Sequence, residues 1–340
     1  MKEARHNHGA IVIEDKPLPE PGVDQARVRI VTAGVCHSDL HIVRGDWSGM
    51  NREGPIGHEA IGVVDALGPG AEAFVSVGDR VILGLGGMGG NYWCGACDNC
   101  LRGSPQQCVH SQGIMGTFAE SMVLFAKGLV VLPDSVGDEE APLACGGLTA
   151  YGAVRKLARH GVRAGQPIAV IGAAGGLGHY AVQIANAFGY RVLGVDVGAE
   201  RLAFVESLGA ERAVEPGEAV AVAQQEFGGV AASLVFSAKI AGFNLGLDVL
   251  RRGGLFVGVA LPPESEGKWE LTPFTLFMRD PIITYSSVGH VGDMRDVVDL
   301  VARGKVKSHI GRRGGFDDIA DIFDDLEATR YLGRAVIDIG

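Results

Sequence analysis

The stretch "QPIAVIGAAGGLGHYAVQIANAFGYRVLGVD" (166–196) restricts the fold more than any other part of this chain. "IAVIG" (168–172) is a short, wholly apolar run, the pattern of a parallel strand covered on both faces. "LGHYAVQIANAFG" (177–189) sets Leu177, Ala181, Ile184, Ala185 and Phe188 at helical spacing, and Gly189 provides the stop. "RVLGV" (191–195) reads as the next strand. Beyond it the pattern predicts a helix around 199–208, a strand "SLVFSA" (233–238), a helix near 242–251 and a strand "GGLFVGVA" (253–260). A βαβαβ series of this kind makes a doubly wound parallel sheet of the α/β class. Toward the end "MRDVVDLVARGKV" (294–306) reads as a helix and "GRAVIDIG" (333–340) as a closing strand.

The first 150 residues have a different character. "ARVRIVTAGV" (26–35), "AIGVVDALG" (60–68), "GDRVIL" (78–83) and "FAESMVLFA" (118–126) are β-rich runs parted by Gly and Pro, the pattern of a compact, mostly-β domain. At 340 residues the chain has room for two such domains.

"GAAGGLG" (172–178) joins the first strand of the α/β half to its first helix. Glycines there permit a tight turn and let backbone N–H groups approach a pyrophosphate at the helix N-terminus, which makes Gly172, Gly175, Gly176, Leu177 and Gly178 nucleotide-site candidates. The spacing is G-x-x-G-G-x-G rather than G-x-G-x-x-G, so the strand–glycine–helix–strand–Asp order carries the reading. Asp196, at the end of the second strand, can accept hydrogen bonds from both ribose hydroxyls and would repel a 2′-phosphate, favouring NAD over NADP. The plain alternative is a turn rich in glycine beside an exposed carboxylate.

The chain has only six cysteines, and four of them, Cys94, Cys97, Cys100 and Cys108, fall in "CGACDNCLRGSPQQC". Four thiolates can close a tetrahedron around Zn²⁺ and hold a loop that lacks secondary structure, with no coordination position left open. An iron–sulfur cluster is the rival, since its C-x2-C-x2-C opening is shared. Cys36 in "GVCHSDLH", Cys145 in "APLACGGLTAY" and His58 in "GHE" offer two thiolates and an imidazole, a three-ligand zinc set with a fourth position for water or a substrate oxygen. Taken singly, each is as well read as an ordinary buried side chain.

Charge and hydropathy narrow the partners. The formal net charge is −10 with no block of lysine and arginine, which argues against nucleic acid. No signal-peptide core and no run of about 18 apolar residues is present, so no membrane partner and a cytoplasmic location are expected. Thiols stay reduced in that compartment, which puts metal ahead of disulfides.

Taken in order, "GVCHSDLH", "GHEAIGVV", "GDRV", "CGACDNC…C", "CGGLTAY", "GAAGGLGHYAVQIA", "VLGVD" and "GKV" resemble the zinc-dependent alcohol dehydrogenases of the medium-chain dehydrogenase/reductase superfamily, over nearly the whole chain. "DLHIVRGDW" is most similar to the microbial, yeast-type primary alcohol dehydrogenases. The resemblance implies a GroES-like, mostly-β catalytic domain (1–150), a Rossmann NAD-binding domain (151–289) and a C-terminal segment (290–340) returning to the first. It implies two Zn²⁺ per subunit, one catalytic and one structural, and reversible hydride transfer between a primary or small secondary alcohol and NAD. The partner is then a small-molecule alcohol or aldehyde, and the assembly a homodimer or homotetramer built through edge strands of the nucleotide domains.

Carried over by position, Cys36, His58 and Cys145 become the catalytic zinc ligands, with Glu59 beside them as an alternate ligand and Asp39 behind His58. Ser38 would bond the substrate oxygen and begin a proton relay ending at His41. His37 and Arg334 fall where relatives contact the pyrophosphate, and Arg201 where a basic residue neighbours the adenosine ribose. Trp47 either narrows the pocket or anchors a loop. Leu85 and Met88 both stand for the aromatic residue that lines the pocket in relatives, in a segment longer and richer in glycine than usual. Val291 occupies the place of a common cofactor-holding arginine, with His290 beside it as a substitute. A polyol or other secondary-alcohol dehydrogenase is the alternative activity, and a non-catalytic NAD-binding protein with structural zinc is the alternative of another class.

Overall fold

The computed structural model describes residues 1–50, 53–83 and 90–340. They divide into two compact units, Met1–Leu148 with Val288–Gly340, and Thr149–Ser287.

The first unit is organised by the long strand Gln25–Val35, whose Val28, Ile30 and Ala33 are fully buried. It pairs antiparallel with Glu59–Leu67 on one side and with Arg334–Asp338 on the other. The sheet runs Leu129–Val131, Arg80–Leu83, Glu59–Leu67, Gln25–Val35, Arg334–Asp338, Ile310–Gly314, with Ser121–Phe125 also paired to Gln25–Val35. The C-terminal strand thus sits one strand in from the edge of a sheet made mostly from the first third of the chain. Its register sets Ala335 opposite Val35, while Gly34 lies opposite Glu59. Three chain segments therefore meet where Gln25–Val35 ends and the helix His37–Arg44 begins.

The second unit holds six parallel strands in the order Arg212–Val214, Arg191–Val195, Pro167–Ile171, Val230–Val235, Leu250–Gly258, Ile282–Tyr285. The first of these in the chain, Pro167–Ile171, lies centrally, with later strands added on either side. That reversal makes the topological switch point at which doubly wound sheets bind ligands. Burial follows the architecture. Val230–Val235 is buried at every position, as expected of a strand covered on both faces. Phe243 and Phe256 anchor one core layer with Ile171 and Leu193.

The predicted strand at 233–238 lies three residues earlier, at Val230–Val235, and the helix predicted to 251 stops at Asp248, because Leu250 already enters the next strand. Elements absent from the sequence reading include the strands Arg212–Val214 and Ile282–Tyr285 and the helix Pro216–Phe227. The strands are three and four residues long and fall below what alternation can signal. The helix had readable punctuation, Pro216 at its first position and Gly228 in left-handed conformation just past its end.

Candidate functional site

Cys36 ends the central strand and caps the helix His37–Arg44. Its backbone N–H donates to Asp39 Oδ2 at 3.0 Å, a bond that closes the first turn. The other oxygen of the same carboxylate, Oδ1, lies 2.7 Å from His58 Nδ1. Asp39 is fully buried and His58 nearly so. With Nδ1 committed to Asp39, His58 presents Nε2 to the interior.

Cys145 stands between the 3₁₀ segment Asp138–Ala144 and the helix Gly146–Arg159. One donor atom from each of Cys36, His58, Glu59 and Cys145 lies within 4.8 Å of the others. Donors held 2.0–2.3 Å from a common zinc stand roughly 3.3–3.8 Å apart in a tetrahedron, so the set is compact enough to fit the ion. The thiols polarise one another. Cys36 is drawn well below the ordinary thiol value, first by its hydrogen bond with Cys145 and then, against burial, by His58. Cys145 is pushed up by Cys36 and by burial. Burial works against a charged His58, and Asp39 with Cys145 overcomes it, leaving that group raised.

Glu59 is fully buried and faces Arg334, which is 3% exposed. Arg334 Nη2 donates to Glu59 Oε1 at 2.6 Å, to Oε2 at 2.5 Å and to Val35 O at 2.9 Å. Burial pushes the Glu59 carboxyl up to about 7, against the opposing pull of the guanidinium. Gly34 makes room for this pair: a Cβ there would meet Glu59 Oε2 at 2.2 Å and Pro142 Cα at 3.0 Å. Sequence reasoning set Arg334 toward a pyrophosphate and did not pair it with Glu59. The missing information was strand register, which places the two on either side of the Gly34–Val35 step.

The helix His37–Arg44 also carries Ser38 and His41. His41 Nδ1 lies 2.6 Å from Asp46 Oδ2, and its ring centroid is 4.6 Å from that of Trp47 and 6.0 Å from that of His37. Trp47 is thus held against His41. Asp46 was not singled out from the sequence. Leu85 and Met88 lie outside the described residues.

The four-cysteine set also converges. Cys94, Cys97, Cys100 and Cys108 bring their sulfurs within 4.8 Å of one another, with none joined in a disulfide. Backbone N–H groups of Ala96 and Cys97 point at the Cys94 sulfur (3.4 and 3.2 Å), and those of Cys94 and His110 at Cys108 (3.3 and 3.4 Å). Such donors favour thiolate, the form that binds metal. Cys97 is drawn down to about 6 by the N–H groups of Cys100 and Val109.

In the second unit, Gly172 to Leu177 form the turn between Pro167–Ile171 and the helix Gly178–Ala187. Gly178 is obligatory there, since a Cβ would meet Gly172 O at 2.0 Å. At Gly175 a Cβ would touch only Gly172 O, at 3.3 Å, which leaves that backbone open to close approach by a phosphate. Asp196 Oδ2 accepts from Ala174 N at 2.8 Å, tying the turn to the end of the next strand, and Arg201 Nη1 lies 3.6 Å from Asp196 Oδ1. These features fit a dinucleotide. Val291 opens the helix Val291–Ala302, and His290 caps it, its Nδ1 accepting from Gly292 N and Asp293 N. The His290 ring is thereby engaged within its own segment.

Comparison with known proteins gives concordant matches. Residues 22–134 match the alcohol dehydrogenase GroES-like domain, and residues 176–303 the zinc-binding dehydrogenase domain. An alcohol dehydrogenase of Moraxella sp. is 35% identical, with 98% of this chain and 97% of that one aligned. One from Geobacillus stearothermophilus is 34% identical over 96% of each. The crystal structure of the alcohol dehydrogenase from the archaeon Aeropyrum pernix superposes with a TM-score of 0.88 at 31% identity, covering 99% of this chain and 100% of that one.

The buried ion pair yields the first test. Arg334→Met should destabilise zinc-stripped protein by about 3–5 kcal/mol, because Glu59 is left buried without its partner. Glu59 is raised from 4.5 to about 7, so its contribution to stability is complete below 4.5 and is lost as pH rises through 7. Removing Arg334 raises Glu59 further, so the deficit in urea unfolding should be larger at pH 8 than at pH 5. An equal deficit at both would contradict the assignment.

Proposed function

The chain belongs to the zinc-binding alcohol dehydrogenase family of the medium-chain dehydrogenase/reductase superfamily, and from that premise we propose that it interconverts small primary or secondary alcohols with their aldehydes or ketones. Its cofactors are zinc and NAD. The observation that carries the reading is the meeting of Cys36, His58 and Cys145 with a carboxylate, Glu59, already paired to Arg334. Two thiols and an imidazole that face one another, with a fourth donor that is paired to Arg334, make a zinc set with room for an exchangeable oxygen ligand.

When bound, the zinc supplies Lewis acidity toward an alcohol oxygen and NAD supplies the hydride acceptor. The remaining work falls to the chain. Cys36, His58 and Cys145 hold the ion, and Asp39 keeps His58 in the tautomer that offers Nε2. Glu59, held by Arg334, is the alternate ligand. Ser38 orients the substrate hydroxyl, and His41 exchanges its proton with solvent. With His41 Nδ1 on Asp46, the other ring nitrogen is left for that exchange. Cys94, Cys97, Cys100 and Cys108 hold a structural zinc that fixes their loop. Gly172 to Gly178 receive the pyrophosphate, and Asp196 with Arg201 receives the adenosine ribose.

The assembly we propose is a homodimer. The strand Ile282–Tyr285 ends its sheet, and beside it the helix Pro273–Arg279 exposes Phe274, Phe277 and Met278 by 74, 76 and 54%. An unpaired edge with a cluster of exposed large apolar side chains suits self-association. Among the described residues no helix is long and apolar enough to cross a membrane. None of the six cysteines is joined in a disulfide, which suits a reducing cytoplasm, the compartment we propose.

Three measurements test these readings. Freshly purified protein should hold two zincs per chain, one for each donor set, and reduce NAD with ethanol, benzyl alcohol or 2-propanol. Cys36→Ser should retain one zinc and lose turnover, whereas a single zinc with no turnover in the unmodified protein would favour a non-catalytic role. His41→Ala should lower kcat for alcohol oxidation by roughly 10²-fold, the lower end for an acid–base group, and added imidazole should restore part of it. Unchanged kcat would remove His41 from the relay. Phe277→Glu should halve the mass measured by light scattering, and an unaltered dimer mass would place the interface elsewhere.

A further inference from the structure

The parallel pairing of Arg191–Val195 with Arg212–Val214 sets Val195 level with Val214. The residues that follow, Asp196 and Glu215, therefore leave the sheet side by side, and Asp196 N continues the ladder by donating to Val214 O at 3.3 Å. Glu215 does not turn away into solvent. Its Oε1 accepts from Gly198 N at 2.7 Å, across seventeen residues of chain. Gly198 has a left-handed φ of +88° and immediately precedes the helix Ala199–Ser207. Asp196 Oδ1 meanwhile accepts from Val197 N at 2.9 Å and lies 3.6 Å from Arg201 Nη1. The short loop from Asp196 to Arg201 is thus gripped by two carboxylates, one its own and one from the neighbouring strand.

The charges in this corner matter for cofactor choice. Asp196 is matched by Arg201, and an arginine at such a position is the group that accommodates a 2′-phosphate in NADP enzymes. Asp196 with Arg201 alone is close to neutral toward that phosphate. Glu215 tips the balance to negative. A 2′-phosphate carries close to two negative charges, so an added carboxylate nearby opposes it strongly, while the ribose hydroxyls of NAD are uncharged.

We propose that Glu215 is a second determinant of cofactor choice, positioning the 196–201 loop through Gly198 N–H and excluding the 2′-phosphate of NADP by its charge. The proposal rests on the reading that the 172–178 turn and Asp196 hold NAD. Two variants separate the two contributions. Glu215→Gln keeps a carbonyl oxygen for Gly198 N and removes the charge. Glu215→Ala removes both.

The test is equilibrium binding of NADH and NADPH to the full-length zinc protein, read by nucleotide fluorescence and independent of turnover. In Glu215→Gln the affinity ratio of NADPH to NADH should rise about tenfold, the order of effect of one neighbouring unit charge on a dianion in a water-like dielectric. That gain should shrink at high salt, as screening already weakens the repulsion in the unmodified protein. In Glu215→Ala the NADH affinity itself should fall, because Gly198 N loses its acceptor. A ratio that stays within twofold in Glu215→Gln, while NADH still binds, overturns the role of Glu215 and leaves the nucleotide site standing. Failure of the unmodified protein to bind either nucleotide overturns the nucleotide reading and this proposal with it.

Discussion

One buried carboxylate organises the metal-facing end of the first unit. Asp39 has no solvent contact, and its two oxygens serve two different segments: Oδ2 accepts the Cys36 backbone N–H, and Oδ1 meets the His58 ring. A carboxylate in such a place is costly unless both oxygens are bonded, so each partner supports burial of the other. The geometry then propagates. The bond to Cys36 ends a strand and starts a helix, which aims the thiol. The bond to His58 selects a tautomer, which aims Nε2 at that thiol. Strand register places Glu59 and Arg334 on either side of the same step.

Charge balance explains why this cluster tolerates so many ionisable groups. Two thiolates and a neutral imidazole would balance a divalent ion, Glu59 faces Arg334, and the Asp39 carboxylate is held by the Cys36 N–H and the His58 ring. Burial alone would drive Glu59 to hold its proton, and the guanidinium opposes this without abolishing it.

The chemistry was more legible in the sequence than the architecture around it. The strand–glycine–helix–strand order around 168–196 announced a parallel sheet, because a tight turn needs Gly172 and Gly178 and buried strands need apolar runs. Cysteine spacing announced the four-cysteine set, and the scarcity of thiols made the remaining Cys36 and Cys145, with His58, readable as a second. What stayed hidden depended on register or on elements too short to show a period. The Glu59–Arg334 pair joins residues 275 positions apart and requires the C-terminal strand to enter the central sheet. The Glu215–Gly198 bond depends on Arg212–Val214, a strand of three residues. His290 and Val291 show a third kind of limit. Position pointed toward cofactor, and the structure adds a helix cap through His290 Nδ1 that position alone did not announce.

The two units share a device despite their different folds. In the first, Asp39 accepts a backbone N–H from the segment bearing Cys36 and orients a neighbouring ring. In the second, Asp196 accepts backbone N–H groups from the glycine turn and from Val197, and stands beside Arg201. Each carboxylate links the main chain to a functional side chain, so the position of that side chain is set by backbone rather than by the rotamer freedom of a surface group. The glycine turn illustrates the benefit. Ala174 N–H is satisfied by Asp196, while the backbone at Gly175 stays open. A turn organised this way is held in place by the same residue that directly follows the neighbouring strand.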